Sequence, residues 1–211
     1  MKIIIRNEQN KDIGKTEQLA RDAFWNVYIP GAYEHYIVHT MRQHEDYIKE
    51  LTFVIEVDNE VVGAIYYTRS KIVNGTEEYS TITFGPVFIA PAFQQRGLGK
   101  MLIEHSIKKA KEMGFKAIMI LGYWEEYSKY GFISGKKYGV AMPDGKFYKG
   151  LLILPLDKPN LSKFGGIASF SNVLEPLMAE VEKYDKTFGY KEKLILASQK
   201  KFSDACQELD E

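Results

Sequence analysis

The spacing of apolar residues changes period several times along this chain, and each change predicts an element. Residues 2–6 are β-branched and read as a short first strand. Over 12–25 the apolar Ile13, Leu19, Ala20 and Phe24 fall at helical spacing; Pro30 and Gly31 then break the chain, and 32–42 read as a second helix. Residues 52–57 and 61–68 flank the polar Asp58, Asn59 and Glu60 in the layout of a hairpin. A loop at Asn74-Gly75 leads to an extended apolar segment, 79–89, interrupted by Gly85-Pro86. Proline removes an amide donor and glycine weakens the ladder, so strand pairing is expected to be disturbed there. A helix starts near Gly97, with Leu98, Leu102, Ile103, Ser106, Ala110 and Met113 on one side, Glu104, Lys108, Lys111 and Glu112 on the other, and Gly114 as its C-cap. Residues 117–121, "AIMIL", read as a buried strand, so strand, helix and strand predict a parallel pair with a right-handed crossover. Residues 124–130 read as a short helix closed by Gly131, and Phe132 and 150–156 as further strands.

From Lys158 the pattern is mixed. "SKFGGIAS" reads as a loop, 175–188 as a helix, and Ser198 as the N-cap of a last helix reaching Leu209. Val173, Leu174, Leu177, Met178, Val181 and Tyr184 give the first of these helices an apolar side that could pack on the sheet or on a second subunit, a homodimer.

Composition narrows the partners. A chain of 211 residues buries roughly 70% of its unfolded surface, enough for one core. Lys plus Arg equals Asp plus Glu at 28 each, so no net field attracts nucleic acid. The single Cys206 forms no internal disulfide, and no Cys/His cluster has zinc-ligand spacing, so a metal is not expected and a reducing compartment is. The apolar start is cut off at Arg6 and Glu8, and no run approaches the length of a membrane span; a soluble, cytoplasmic protein without membrane contact is the expectation.

The chemistry lies at the mouth of the helix near Gly97, in "FIAPAFQQRGLGK". A helix leaves its first amides unpartnered and partly positive, so a glycine turn feeding it makes an anion site. A mononucleotide P-loop would need glycine at 94 and Ser or Thr at 101, where Gln94 and Met101 stand. A dinucleotide fingerprint would need a third glycine where Leu102 stands. What remains is Gln94-x-x-Gly97-x-Gly99. With Phe88 to Pro91 before it, "ILGY" (120–123) after it and "EYSKYGF" (126–132) beyond, the chain resembles the GNAT superfamily of acyl-coenzyme-A-dependent N-acetyltransferases. The resemblance covers residues 1–156, is weakest at the front, and is strongest to small bacterial members whose substrates are mostly unassigned.

That resemblance implies an α/β fold of the GNAT type: a mixed, mostly antiparallel sheet with a splayed parallel strand pair, flanked by helices. Residues 1–156 would form the acetyltransferase domain and 157–211 a helical extension packed on it. Acetyl-coenzyme A would be the co-substrate, its pyrophosphate cradled by the amides from Gln95 through Arg96, Gly97, Leu98 and Gly99 to Lys100, beside Gln94, and its pantetheine arm held along Val87, Phe88 and Ile89. Tyr127 matches the family's tyrosine that stabilises or protonates the leaving thiolate; the base that frees the amine is left open among Glu125 and Glu126 beside it, Glu34, His35 and His39 on the second helix, and a chain of waters. Glu34, His35 and His39 lie on the second helix, which in the family helps wall the acceptor site, and Trp124 departs from the family pattern there; Glu34, His35 and Trp124 are the expected substrate contacts. The acceptor would be a primary amine of a small molecule or peptide, attacking directly in a ternary complex. The alternative is a non-catalytic acyl-coenzyme-A sensor or interaction module. His105, within the coenzyme helix, reads as a packing residue.

Overall fold

A computed structural model describes residues 1–157 and 165–211. The backbone of the fold is one mixed sheet, in the order β1-β2-β3-β4-β5-β8-β6. Strand β1 (Ile3–Asn7) pairs antiparallel with β2 (Phe53–Val57), and β2 with β3 (Glu60–Asn74). Asp58 and Asn59, at φ 50° and 71°, make the two-residue turn between β2 and β3, the left-handed pair that matches hairpin twist. Strand β3 runs well past the expected residue 68, because Gly75 at φ 61° lets it turn directly into β4 (Glu77–Ile89) with Asn74 opposite Glu77.

The expected disturbance falls at Gly85-Pro86. Ile65 faces Val87 and Tyr67 faces Phe84, so β4 carries one extra residue there, a bulge. On its other side β4 meets β5 (Ala117–Leu121) in parallel, with Ile82 opposite Ile118 as the single registered pair. The two strands therefore splay toward their C-terminal ends, which leaves an open edge on β4 from Thr83 to Ile89. Helix α3 (Leu98–Glu112) forms the crossover; it buries Leu98, Leu102, Ile103, Ser106 and Ala110 against the sheet. Met113, expected on that face, instead lies 45% exposed where the helix ends. His105 packs edge-on against Phe53, ring centroids 4.7 Å apart.

Beyond β5 come α4 (Trp124–Tyr127), one 3₁₀ turn to Tyr130, and Gly131 at φ 93°. Strand β6 (Ile133–Ser134), the unexpected β7 (Val140–Ala141) and β8 (Leu151–Pro155) follow, with β8 antiparallel to β5 and β6.

On one face α1 (Ile13–Phe24) and α2 (Glu34–Met41) pack together. Arg42 pins them to the sheet: its guanidinium bonds Glu8 at 2.8 Å, Glu17 at 2.6 Å, Thr16 at 2.9 Å and the hydroxyl of Tyr66 at 3.0 Å.

The tail departs most from expectation. Of "SKFGGIAS", Ser162 to Phe164 lie outside the described residues, while Gly166–Ser169 form strand β9, not a loop. Strand β9 pairs antiparallel with 71–73 of β3 and parallel with β7, using the edge of β3 beyond the end of β2. Helix α5 is shorter than expected, Met178–Asp185, because Asn172–Leu174 close a separate 3₁₀ turn. Its apolar side is split: Val173 and Val181 are buried, while Leu177 and Met178 stay exposed. Helix α6 spans Ala197–Cys206, with Leu196 rather than Ser198 at its N-cap; Leu209 bridges to Tyr148 instead of extending it. No described helix is long and apolar enough to cross a membrane.

Candidate functional site

The glycine turn between β4 and α3 has the geometry of an anion cradle. Gln95 and Gly97 both take left-handed backbone angles, φ 59° and 78°. Gly97 is the N-cap of α3, and no side chain caps that end, so its first amides are left for a ligand. A Cβ at 97 would meet nothing within 4 Å; the glycine is there for its backbone angle. Gln94 folds back and donates from Nε2 to the Ile89 carbonyl at 3.1 Å, tying the turn to the end of β4. Leu98 is buried in the core and anchors the first turn of the helix. The charged side chains are otherwise engaged: Arg96 donates to the Ala92 carbonyl at 2.9 Å and lies over the Phe93 ring, and Lys100 sits 3.7 Å from Glu104.

Along the splayed edge, the Ala90 amide bonds the Val62 carbonyl at 2.7 Å, toward β3. Strand alternation then turns the amides of Ile89 and Val87 the other way, into the gap beside β5, and that of Phe88 toward β3. Those two amides are a ready edge for an extended ligand.

Tyr127 stands at the far side of the same gap. Its ring lies so close to Gly122 that a Cβ there would sit 2.5 Å from Cε2 and 2.8 Å from Cδ2. Phe84, Phe132 and Tyr130 pack around it at centroid distances of 5.7, 5.9 and 6.4 Å. Burial, helped by Tyr28 and Glu126, raises the phenol above its usual range, so it stays protonated and can donate. Glu126 itself points outward, 69% exposed and 3.8 Å from Lys129.

A second set of side chains faces Tyr127 from the α1–α2 connection and the tail. Tyr28 stacks on Phe202 of α6 at 4.1 Å and tilts on Phe24 at 5.8 Å, and Phe24 meets Phe88 of β4 edge-on. Tyr123 adds an edge contact to Phe202, and Trp124 beside it is half exposed. Beneath Tyr28 lies Glu34, 6% exposed, its Oε2 accepting from the Tyr33 amide at 3.0 Å. Burial pushes this carboxyl up to about 7, and the backbone bonds only partly offset that.

The other two histidine candidates lie under the tail. His35 is fully buried between Tyr184 and Phe188 of the tail, Nε2 3.2 Å from Asp185 Oδ1 without the alignment of a hydrogen bond, so no part of it is open to a ligand. Burial outweighs the nearby carboxylate and lowers it to about 4. His39 stacks on Tyr184 at 4.3 Å with Nδ1 3.1 Å from Glu17. Tyr28, Tyr33, Gly122 and Phe202 escaped the sequence reading; only the glycine ending "ILG" carried a local signal, and the rest meet through the folded-back tail. Among the described residues no three His, Cys, Asp or Glu are grouped to hold a metal ion.

Comparisons with known proteins bear on the fold and the family. An uncharacterized N-acetyltransferase of Escherichia coli K12, YjhQ, is 24% identical over 96 residues, 46% of this chain and 53% of the relative. The chain spans about half the length of the curated relatives it matches, 53% and 42% of the two. Among solved structures, the GNAT-family N-acetyltransferase YhbS of E. coli, in complex with CoA, superposes with a TM-score of 0.73 at 18% identity, covering 83% of this chain and 93% of that one. A Brucella melitensis GNAT-family acetyltransferase in complex with acetyl-CoA gives 0.65 at 23%, covering 82% and 98%. These likenesses establish a mixed fold with a mostly antiparallel sheet and one parallel pair. The model of the acetyltransferase (GNAT) family matches residues 21–132, more than half of the sequence, from the last turn of α1 to Phe132, and the chain belongs to that family.

Proposed function

We propose that this protein transfers the acetyl group of acetyl-coenzyme A to a primary amine by direct attack in a ternary complex. The carrying observation is the alignment of three features on one gap: the uncapped start of α3, the outward amides of Val87 and Ile89, and the protonated Tyr127 phenol. In this reading the amides from Gln95 to Lys100 hold the pyrophosphate, with Arg96 and Lys100 free to swing onto it from their weak surface contacts. The β4 edge pairs with the pantetheine arm, and one of its amides polarises the thioester carbonyl. Tyr127 supplies the proton for the departing sulfur. The related structures with bound CoA and acetyl-CoA support the choice of co-substrate.

The acceptor side is aromatic, built from Tyr28, Tyr123, Trp124 and Phe202, with a buried carboxylate at its base. That lining suits an amine carried on an apolar or aromatic body, whether a small molecule or a peptide end. One observation favours a second reading, a non-catalytic acyl-coenzyme-A sensor: Phe202 of α6 stacks directly on Tyr28 and roofs this side. Release of free thiol from acetyl-coenzyme A across a panel of primary amines separates the two. Turnover that drops by about 10²–10⁴ in Tyr127→Phe supports the enzyme. Tight binding of acetyl-coenzyme A with no thiol release from any amine supports the sensor.

A further inference from the structure

Among the described residues three acids are buried, Asp12, Glu17 and Glu34, and the first two come with cations. Asp12 is held by Arg6 at 2.6 Å, Glu17 and Glu8 by Arg42 at 2.6 and 2.8 Å, and Asp185 by Arg21 at 2.6 Å. Glu34 is as buried as Asp12 and Glu17, yet among the described residues no Lys, Arg or His lies within ion-pair distance of it. An ionised carboxylate buried without a cation costs several kcal/mol and is driven toward its neutral form; an ammonium group brought into contact with it would favour the charged form again. The titratable groups around it are the phenols of Tyr28 and Tyr33 and, beyond Tyr28, Tyr123, Glu126 and Cys206; none is a cation. His35, next in sequence, is turned to Asp185. Tyr28 lies within electrostatic reach of both Glu34 and Tyr127, so the carboxyl and the candidate acid have one phenol as a common neighbour.

From this we infer that Glu34 receives the acceptor's ammonium group and acts as the general base of the transfer. The inference rests on the acetyltransferase reading above. The Glu34 carboxylate takes one proton from R–NH₃⁺. The freed lone pair of nitrogen attacks the thioester carbon, forming the C–N bond as the carbonyl π electrons move to oxygen. Collapse restores the carbonyl and breaks the C–S bond, whose electron pair leaves on sulfur. Sulfur takes the Tyr127 proton, and the second nitrogen proton restores the phenol. The products are the amide, the free thiol and one proton on Glu34, which passes to solvent. The elevated proton affinity of Glu34 fits the task, because a base works best when its pKa lies near the operating pH. The aromatic walls exclude water and strengthen its attraction for an ammonium group.

The test combines pH–rate profiles with a titration that does not depend on turnover. Wild type, Glu34→Gln and Glu34→Asp are compared by kcat/KM against pH with the amine panel, and coenzyme A affinity by calorimetry verifies that each variant is folded. In parallel, protein labelled with ¹³C at glutamate carboxyls is titrated by NMR, the Glu34 signal being the one missing in Glu34→Gln. Expected are a wild-type limb and a carboxyl titration both near pH 7, as burial of the group requires. Glu34→Gln should keep its coenzyme affinity, lose that limb, and fall by about 10²–10⁴ in kcat/KM. Glu34→Asp should keep the limb at a reduced rate. If wild type turns over but Glu34→Gln stays within about twofold of it with the limb intact, or the carboxyl titrates in the ordinary glutamate range, the assignment of the base is overturned alone. If wild type binds acetyl-coenzyme A and acetylates no amine, the acetyltransferase reading falls and this one with it.

Discussion

Replacing Gly122 by alanine tests whether the position of the Tyr127 phenol matters for turnover. The added Cβ would sit 2.5 Å from Cε2 and 2.8 Å from Cδ2, where ordinary contact begins at 3.4 Å, so the ring edge has to retreat by about 0.9 Å, the difference 3.4 − 2.5. The ring cannot simply rotate away, because Phe84, Phe132 and Tyr130 flank it. Gly122 does not use a left-handed backbone angle, so alanine costs nothing in the main chain and recovers some unfolded-state entropy. Overpacking of this kind typically costs 1–3 kcal/mol, about what a folded domain tolerates. A misplacement near 1 Å at a reacting group, by contrast, is worth about 10²-fold in rate. Expected is a variant with a slightly lower melting temperature, unchanged coenzyme A affinity by calorimetry, and kcat reduced about 100-fold in a thiol-release assay. Because both changes act through one hydroxyl, Gly122→Ala should add little on top of Tyr127→Phe. A single variant within about twofold of wild type, or a double variant whose loss is the product of the two, would refute the placement of Tyr127 as proton donor.

Gly97→Val puts a β-branched residue at φ 78°, a backbone angle it takes only with strain, and should abolish coenzyme A binding by calorimetry while the far-ultraviolet dichroism stays native. Arg42→Met leaves Glu8, Glu17 and the Tyr66 hydroxyl without their shared donor, and chemical denaturation should show a loss of about 3–5 kcal/mol. Stability should also carry the signature of Glu34: its folded pKa of about 7 exceeds the ordinary 4.5, so the neutral form is favoured by folding. The stability this preserves is complete below pH 4.5 and is lost as pH rises through about 7. Across that window Glu34→Gln should gain on wild type by roughly 3 kcal/mol, from 2.5 units at 1.36 kcal/mol each, and a difference that is flat with pH would contradict the burial of an uncompensated acid.

The glycine turn and the broken strand of the candidate site were legible in the sequence because their signals are local. Gly97 and Gly99 at a strand-to-helix junction specify a turn and a helix start within a few residues, and Gly85-Pro86 announces a broken ladder without any tertiary information. The acceptor side was legible only in its candidates. Glu34 and His35 stand next to each other in a plain helical pattern, yet Glu34 accepts from the Tyr33 amide at the start of the helix while His35 is sealed under Tyr184 and Phe188. Nothing in the spacing of α2 tells them apart, since the difference is made by residues some 150 positions later that fold back across it. Strand β9 was missed for a related reason: "GIAS" is four residues with neither alternation nor a β-branched run, and it is a strand only because β3 extends far enough to offer it an edge.

The tail matters to the chemistry through the α1–α2 connection. Trp25 and Asn26 donate to the Glu192 carbonyl, Asn26 accepts from the Leu194 amide, and Gln199 donates back to the Asn26 carbonyl. These bonds fix the loop that carries Tyr28 and delivers Glu34 at the first position of α2. The glycine turn proposed to hold the coenzyme lies between β4 and α3, tied to the end of β4 by Gln94, and among the described residues no hydrogen bond joins it to the tail. The two halves of the proposed site would therefore rest on different parts of the chain: the donor half on β4 and α3, the acceptor half on contacts made after residue 184. Changes in the tail should alter which amine is accepted and how the base is buried, while leaving the grip on the coenzyme as it is.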